Sequence, residues 1–392
     1  MRASGRALTI AMLTELTRKN GSSRVVCFQY EEPLRNLGIE VRFFPPTSVR
    51  IYEALCEGLV GPRWLVILRK AIYWYGLVLP RRLAQIIRAG FCDVVLIQRG
   101  LFRYNSPPVL EWLLWLWASK LLGRPVLYTL DDAQYRVANP RYFQWRFRMA
   151  DCVYTGNEEI AAYARQWNPS VTRIEAGVDT RAARPKQHSE HWPVVIGWVG
   201  TLLDQDGYLG LMGEIVRELR LKYPIIFRVV SNRPSEPCGV DGWEKRRWTL
   251  EDEWQVLAGF DIGVMPLPDD EFTRAKEGYK LKQYMAAGLP VVCSPVGQNL
   301  KLVQDGVNGY FARNKQEWVE RLARLVSDWK LREEMGRAGR RRVEERFSLE
   351  VVTPQLAAFI RGAAGGVHET VEQAQRPTGS GREPMRSHTR LP

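Results

Sequence analysis

The segment FDIGVMPLPDDEFTRAKEGYKLKQYMAAGLPVVCSPVGQNLKLVQDGVNGYFA, residues 260–312, carries the clearest strand and helix signals of the chain. Its apolar pattern predicts a strand over Asp261–Met265, a helix over about Gly278–Ala287, and a second strand over Pro290–Cys293. Gly288 follows the helix directly, where a glycine commonly ends one. This order of strand, loop, helix and strand predicts an α/β unit built on a parallel sheet.

The start of the predicted helix is a candidate anion site. Free N–H groups and the helix dipole favour negative charge there, and in α/β proteins this point lies beyond the carboxyl end of a strand. Lys276 and Lys280 are four residues apart and therefore share one face. Gln283 follows on the same face and could bind a hydroxyl through its amide. Two lysines on a helix are often only solvated, but their place after a strand favours phosphate binding.

The segment YMAAGLPVV, Tyr284 to Val292, resembles the donor-site segment of the retaining glycosyltransferases of family 4. In that family a Glu-x7-Glu helix leads into A-M-A-x-G-x-P-V-V, and Gly278 falls at the glycine of its Phe-Gly pair. Ala275 and Gln283 replace the two glutamates. One branch of the family has the segment G-K-x-x-x-K-x-x-Q-Y-M-A-A-G. This chain follows that branch at both lysines and at the glutamine, and differs from it at Ala275.

Other segments resemble further parts of the same family, so that the resemblance covers roughly Leu8 to Ile360. They include NGSSRVVCFQY (20–30), PVLYTLDDA (125–133), VIGWVGT (195–201) and LREEMGRAGRRRVEERFSLE (331–350). The resemblance implies an α/β protein of GT-B fold, with two Rossmann-like domains whose parallel sheets face an interdomain cleft. It also implies no metal cofactor, because GT-B enzymes stabilise the diphosphate leaving group with basic side chains and helix N–H groups.

Two domains also suit a chain of 392 residues. Strands alternate with helices in both halves, and the polar, proline-flanked segment Pro185–Pro193 is typical of a linker. We predict an N-terminal domain over residues 1–185 and a donor domain over residues 186–345. A helix over 346–362, expected to return to the N-terminal domain, and a disordered tail over 363–392 complete the chain.

Four residues of the N-terminal domain are candidates for catalysis. Asp131 and Asp132 end a predicted strand at the cleft, where they could orient an acceptor hydroxyl or act as a base. Capping of the following turn is an equally good interpretation of the pair. The four histidines lie in the linker and the tail, so none can fill the place of the cleft histidine that the resemblance implies. Arg24 in the first loop, or Arg99 after the strand Val94–Gln98, is expected to reach the cleft in its place.

Three further residues are candidates for donor binding. Gly200 and Thr201 follow the first strand of the second domain and could approach a diphosphate with backbone N–H groups. Arg233 could contribute a charge, although an ordinary loop arginine is equally compatible with its position. Residues 204–206 spell D-x-D, the metal signature of the other large glycosyltransferase fold. An N-cap for the next helix is the better interpretation of this short match, and we predict no metal site.

The net charge of +13 is located mainly in the first domain. Residues 1–185 carry 26 basic and 15 acidic side chains, whereas residues 186–360 carry 25 of each. Between Gly58 and Cys92 there are six basic residues and no acidic one, interleaved with tryptophan and tyrosine. The six are Arg63, Arg69, Lys70, Arg81, Arg82 and Arg88.

Three interpretations compete for this basic, aromatic stretch: core helices with solvated arginines, a nucleic-acid surface, or an anionic membrane surface. The aromatic residues lie among leucine, isoleucine and valine, and no nucleic-acid motif accompanies them. We therefore favour the membrane surface slightly over the core and predict no nucleic-acid partner.

The sequence as a whole predicts a glycosyltransferase that moves a sugar from a nucleotide sugar to a glycan or lipid-linked acceptor of a cell-surface pathway, with retention. Scattered cysteines and the lack of a signal peptide or apolar span favour a cytoplasmic protein, peripheral on the inner face of the cytoplasmic membrane. The replaced glutamates leave two alternatives open. One is a catalytically weak nucleotide-sugar-binding or scaffold protein of a polysaccharide pathway, and the other is a GT-B nucleotide-sugar epimerase. A dinucleotide oxidoreductase is disfavoured because no strand is followed by G-x-G-x-x-G.

Overall fold

The computed structural model describes residues 7–56, 62–103, 105–200, 207–231 and 243–366. The first domain contains a six-stranded parallel sheet. Its strands are β1 (Leu8–Thr14), β2 (Ile39–Phe44), β3 (Val94–Gln98), β4 (Val126–Thr129), β5 (Cys152–Thr155) and β6 (Val171–Arg173). They are arranged in the order β2-β1-β3-β4-β5-β6, so the chain crosses over the sheet between β2 and β3.

Helices cover both faces of this sheet, which explains why its central strands are continuously apolar. They are α1 (Gly21–Val26), α2 (Glu31–Asn36), α3 (Val49–Cys56), α4 (Arg63–Ala71), α5 (Leu79–Ala89), α6 (Val109–Trp115), α7 (Pro140–Met149) and α8 (Glu158–Arg165). A π-helical segment, Ile72–Val78, joins α4 to α5 without a break, and a second, Leu116–Leu121, extends α6. Short 3₁₀ turns lie at Phe28–Tyr30 and Gln134–Arg136.

The second domain repeats the arrangement with a parallel sheet in the order β12-β11-β10-β7-β8-β9. Its strands are β7 (Val194–Val199), β8 (Ile225–Ser231), β9 (Glu244–Arg247), β10 (Ile262–Met265), β11 (Val291–Cys293) and β12 (Gly309–Phe311). Its helices are α9 (Gly207–Arg220), α10 (Glu253–Ala258), α11 (Glu271–Arg274), α12 (Tyr279–Ala286), α13 (Asn299–Leu302), α14 (Lys315–Ser327) and α15 (Trp329–Arg346). The predicted α/β fold with two parallel sheets is therefore confirmed.

Three strands were not predicted: β6, β9 and β12. Each lies at the edge of its sheet and has only three or four residues, and the side chains of β9 are all exposed. A short edge strand needs few apolar residues, so the sequence pattern gives little sign of it. Helices α14 and α15 are separate, because Asp328 ends α14 and caps α15 by accepting a hydrogen bond from the Leu331 N–H group.

The last helix, α16 (Leu349–Gly365), packs on the first domain. Leu356 and Ile360 are buried against Ile10 and Leu96 of its sheet. Burying an aliphatic side chain of this size stabilises by about 1.5–3 kcal/mol, so these contacts hold the end of the chain on the first domain. The helix extends beyond its predicted end, and residues 367–392 of the predicted tail lie outside the described residues.

The two parallel sheets direct the carboxyl ends of their strands toward one cleft, where an α/β sheet presents its ligand-binding loops. Within the described part of the chain, no helix is long and apolar enough to cross a membrane.

Candidate active site in the interdomain cleft

A cavity of about 410 Å³ lies between the two domains. Loops after β1 and β4 form one wall, and residues around the start of α12 form the other. The first domain contributes, among others, Asn20, Arg24, Asp131 and Asp132, and the second contributes Lys276, Glu277, Lys280 and Gln283. Five of the seven predicted donor residues and three of the four predicted catalytic residues are among those that line it. The lining donor residues are Gly200, Lys276, Gly278, Lys280 and Gln283.

The start of α12 has the geometry of an anion site. Gly278 is its N-cap and has a left-handed backbone, with φ of +65°, and a Cβ there would lie 2.5 Å from Leu302 Cδ1. The first amides of a helix have no intrahelical acceptor and are free to bind a ligand. Lys276 and Lys280 line the cavity beside these amides, and Lys280 Nζ lies 4.2 Å above the centre of the Trp198 ring.

Lys280 has an unusual protonation equilibrium. Burial, together with the nearby charge of Lys276, lowers the pKa of the Lys280 ammonium to about 7. An anion placed against this ammonium would favour the charged form again, because an opposite charge offsets desolvation. The lysine pair is therefore poised to gain charge when an anionic ligand enters the cleft.

Gly200 has a different role from the expected one. Its N–H group donates to the carbonyl oxygen of Val230 at 3.0 Å and is not available to a diphosphate. The lack of a side chain matters instead, since a Cβ at Gly200 would collide with Lys280 Nζ and with the Trp198 ring. Thr201 and Arg233, two further predicted donor residues, lie outside the described residues, as do residues 204–206 of the D-x-D match.

One N–H of the Gln283 amide donates to Glu253 Oε1 at 3.0 Å, so a sugar hydroxyl would bind through the second N–H or the amide oxygen. The same oxygen accepts a 2.6 Å hydrogen bond from Arg24 Nη2 of the first domain. The Arg24 guanidinium also lies 5.0 Å from the centre of the Trp248 ring. Arg24 thus reaches the cleft as predicted, but it is engaged there by a carboxylate that sequence reasoning did not select.

Asp131 and Asp132 are fixed by Arg99. The Arg99 guanidinium forms a bidentate pair with Asp131, at 2.6 and 3.0 Å, and contacts Asp132 Oδ2 at 2.8 Å. Burial alone would raise the pKa of Asp131, but the charge and hydrogen bonds of Arg99 outweigh it and lower that pKa below its ordinary value. Asp131 is therefore an ionised acceptor at neutral pH.

Arg99 acts from behind the cleft wall, not within it. It is the one described non-glycine residue with a positive φ, at +63°, and its N–H group donates to the Thr129 carbonyl oxygen. A left-handed backbone is costly for arginine, so neighbouring contacts must hold it. The Tyr128 hydroxyl supplies one of these contacts by donating to the Arg99 carbonyl oxygen at 2.8 Å. The structure thus gives Arg99 a positioning role toward the two aspartates.

Glu277 is a cleft residue that the sequence did not reveal. Its carboxylate lies against Gly156 of the first domain, where any Cβ would collide with it. Burial raises the pKa of Glu277 to about 8, although the charge of Lys282 opposes this. A single glutamate before a glycine carries no sequence signal, so only the approach of the two domains identifies it.

Contacts between the domains hold the lysine loop in place. Asn157 Nδ2 donates to the carbonyl oxygens of Arg274 and Lys276, at 3.2 and 3.3 Å. The Tyr279 hydroxyl donates to Gln29 Oε1 of the first domain at 3.3 Å. Within the ranges that the structure describes, no group of three or more histidine, cysteine, aspartate or glutamate residues is arranged to hold a metal ion.

Comparison with known proteins agrees with this geometry. Residues 193–328, within the second domain, match the family described as glycosyl transferases group 1. The fold as a whole matches sucrose-phosphate synthase from Thermosynechococcus elongatus, with a TM-score of 0.66 at 16% identity over 92% of this chain and 100% of that one. The chain has a GT-B glycosyltransferase fold.

Two further GT-B structures are similar over most of the chain. A glycosyltransferase from Rickettsia africae has a TM-score of 0.65 at 14% identity, over 92% of this chain and 99% of that one. HepE from Anabaena, in complex with UDP-glucose, has a TM-score of 0.60 at 14% identity, over 91% of this chain and 100% of that one. The family match and the fold together support a glycosyltransferase.

A curated relative gives a shorter match. Spore coat protein SA of Bacillus subtilis is 36% identical over 75 residues, which is 18% of this chain and 20% of the length of that protein. The chain therefore aligns with only about a fifth of this relative.

The basic stretch of the first domain forms a second candidate surface of this GT-B chain, on the continuous helix from Arg63 to Ala89. Arg82 does not belong to this surface. It is fully buried and donates to the carbonyl oxygens of Phe44 and Leu101, at 2.7 and 2.5 Å, and burial lowers its pKa to about 10. Tyr73 is also buried and contacts the Thr47 hydroxyl at 3.0 Å. Tyr73 therefore belongs to the core, as the core interpretation predicts, whereas Arg82 is buried there and not solvated.

The remaining residues of the helix leave an unusually apolar exposed face. Trp64 and Tyr75 are each 66% exposed. Further large apolar side chains are exposed along the same helix, and they are Ile67, Leu68, Ile72, Leu77, Leu83 and Ile87. Basic side chains lie among them: Arg63, Lys70, Arg81 and Arg88 are exposed and Arg69 is partly so. We call this surface the basic apolar face.

Proposed function

We propose that this protein transfers a sugar from a nucleotide-sugar donor to a glycan or lipid-linked acceptor, with retention, as a member of the glycosyltransferase 4 branch that its α12 segment resembles. The observation that carries the proposal is the lysine pair at the start of α12. It places two ammonium groups and a helix N-terminus in one wall of an interdomain cleft. Such a site suits the diphosphate of a nucleotide sugar.

Lys276, Lys280 and the first amides of α12 would stabilise the diphosphate as negative charge develops on it during departure from the sugar. Groups that are already oriented toward developing charge lower the barrier, because they need no rearrangement during the reaction. The proposal includes no resident metal ion. It rests on the positive charge of the lysines, which could serve the function that a divalent cation serves in other transferases.

Asp131 and Asp132 face the lysines from the first domain and would orient the acceptor hydroxyl. Asp131 is ionised at neutral pH and can accept that hydroxyl's hydrogen bond. Arg99 holds both carboxylates in one orientation. Orientation of this kind lowers the entropy cost of bringing two reactants together.

The test is a donor panel. Purified protein is incubated with UDP-, GDP- and TDP-linked sugars, and release of the nucleoside diphosphate is followed with and without a mixture of lipid-linked and free glycans. One donor is expected to bind and turn over, and NMR of the product anomer reports retention or inversion. Binding without turnover would favour the nucleotide-sugar-binding protein, interconversion of the donor sugar would favour the epimerase, and no binding would refute the proposal.

We also propose that the basic apolar face binds the cytoplasmic surface of an anionic membrane. Exposed aromatic and aliphatic side chains suit the interface of a bilayer, and the basic residues among them suit anionic headgroups. Each basic residue near such a surface contributes on the order of 1 kcal/mol, and salt screens this attraction within about 8–10 Å. A lipid-linked acceptor would then be presented to the first domain directly.

Co-sedimentation with anionic and neutral vesicles tests this second proposal. Lys70→Glu on the basic apolar face replaces attraction by repulsion, so roughly 2 kcal/mol, or about 30-fold, of affinity for anionic vesicles should be lost. Lys222→Glu is the matched control, because Lys222 is also exposed and lies in the second domain. Equal binding of the two variants, or no binding of the unaltered protein at low salt, would refute membrane docking.

A further inference from the structure

Glu253 combines three features that the reaction as proposed does not use. It lies in the first turn of α10, it lines the cavity, and its side chain is only 11% exposed. Its Oε1 atom accepts hydrogen bonds from Arg24 of the first domain and Gln283 of α12. The carboxylate is thus held in one orientation from both sides of the cleft.

The second oxygen of this carboxylate is available to a ligand. Oε2 makes no hydrogen bond or ion pair to the described residues, whereas an ionised carboxylate accepts about four hydrogen bonds through its two oxygens. The ligand groups best suited to Oε2 are neutral hydrogen-bond donors, above all hydroxyls, because Arg24 already supplies a positive charge beside this carboxylate. A buried, oriented carboxylate with one unused oxygen is well suited to a sugar hydroxyl.

The contact between Glu253 of α10 and Gln283 of α12 indicates which hydroxyl the carboxylate would bind. Lys280 and Gln283 are three residues apart and share one face of that helix, which places their side chains next to each other. Gln283 in turn binds Glu253. The carboxylate therefore lies one helical turn beyond the phosphate site, and in a nucleoside diphosphate the ribose is joined directly to the phosphate.

We propose that Glu253 recognises the ribose hydroxyls of the donor nucleotide and that Arg24 and Gln283 are its positioning residues. Carboxylates recognise ribose hydroxyls in the same way in dinucleotide-binding α/β domains. Because Gln283 stands where the resembling family has its second glutamate, this chain supplies a cleft carboxylate from α10 instead of from α12. This inference rests on the proposed function, since it requires a nucleoside diphosphate in the cleft.

The experiment compares ribonucleotides with their deoxy analogues. Calorimetry with UDP, GDP, ADP and CDP first selects the tightest ligand of the unaltered protein. Its 2′-deoxy and 3′-deoxy forms are then titrated, and at least one should bind about tenfold or more weakly. In Glu253→Gln this preference should fall to within about twofold, and Glu253→Asp, which shortens the side chain, should also reduce it.

Lys280→Met provides the matched comparison. It should weaken binding of inorganic pyrophosphate and of both nucleotide forms alike, and so leave the preference for ribose unchanged. Arg24→Lys should reduce the preference in part, because lysine lacks the planar guanidinium. If Glu253 served only to join the domains, its variants would lower the melting temperature and keep the preference, and the inference would be wrong.

Different results would refute the proposed function and the role of Glu253. If neither pyrophosphate nor any nucleoside diphosphate binds the unaltered protein, the proposed function fails and this inference fails with it. If a nucleoside diphosphate binds and Glu253→Gln or Glu253→Asp still prefers ribose tenfold, only the inference is overturned.

Discussion

Replacing Lys280 by methionine should weaken binding of a nucleotide sugar and reduce the dependence of that binding on pH. The methionine keeps the length and apolar contact of the side chain above the Trp198 ring but removes the ammonium. A hydrogen bond to a charged group contributes about 1.5–3 kcal/mol, which corresponds to a loss of roughly 10- to 150-fold in affinity. The loss should be fully present where Lys280 is protonated in the unaltered protein, which is below pH 7.

The pH dependence follows from the direction of the pKa shift. In the free protein, burial and Lys276 lower the pKa of Lys280 to about 7, whereas a bound diphosphate should raise it. Binding above pH 7 therefore takes up a proton, and affinity falls by up to about tenfold for each pH unit until the pKa of the complex is reached. Below pH 7 the ammonium is already charged, so Lys280 contributes no further dependence.

Isothermal titration calorimetry from pH 6 to pH 9 measures both effects. A nucleotide sugar is a better ligand here than a nucleoside diphosphate. Each of its phosphates is bonded to a sugar on one side and to the other phosphate on the other, so neither titrates in this range. Proton uptake at pH 8 can be read independently from the heat in buffers of different ionisation enthalpy. Lys280→Met should lose the part of the slope and of the uptake that Lys280 supplies, whereas Glu277, with a pKa of about 8 in the same cavity, keeps its own contribution.

The choice of control matters for this experiment. Lys282, two residues further on, is fully buried, donates to the Ala176 carbonyl oxygen at 2.9 Å and lies 3.7 Å from Glu175. Its replacement would disturb folding, so it does not serve as a neutral comparison. Lys222→Met, at an exposed position of the second domain, is the appropriate control. Lys280→Met with unaltered affinity, or with the same pH slope as the parent protein, would refute the phosphate assignment.

Three further predictions concern the backbone, the aspartates and metal ions. Gly278→Ala should lower the free energy of unfolding in urea by about 2 kcal/mol or more, because left-handed strain adds to the collision with Leu302; Gly306→Ala, equally left-handed but unobstructed, should cost less, and equal losses would contradict this. Arg99→Lys keeps the charge but not the bidentate geometry, so the pKa of Asp131 should rise and the acidic limb of the pH–rate profile should move to higher pH. An unmoved limb would argue against Asp131 as the titrating group. Activity should be undiminished in excess chelator, and its abolition, with recovery on adding Mg²⁺ or Mn²⁺, would show that a metal is required.

Much of the fold could be predicted from the sequence, because the signals that determine it are local. The continuous apolar runs of the central strands and the glycine that ends α12 depend on neighbouring residues only. The match is close over residues 260–312, where β10, α12 and β11 lie within one or two residues of their predicted bounds. Local pattern failed at the short edge strands, such as β9, since an exposed edge strand does not require apolar residues.

The candidate site was accessible to sequence reasoning only in part. Lys280 and Gln283 are on one short helix and Lys276 lies just before it, so their closeness in the sequence was enough to place them together. Glu253 could not be found in this way, because it is identified by its contact with Arg24, 229 positions away in the sequence.

By itself, the sequence determined the order of the central strands and most helices, the two lysines at the start of α12 and the location of the excess positive charge. The tertiary structure decided which charges are buried: it placed Arg82 in the core, engaged Arg99 with two aspartates and lowered the pKa of Lys280 to about 7. The physical reason is that desolvation and charge pairing depend on residues that are distant along the chain. A pattern of neighbouring residues carries no record of them.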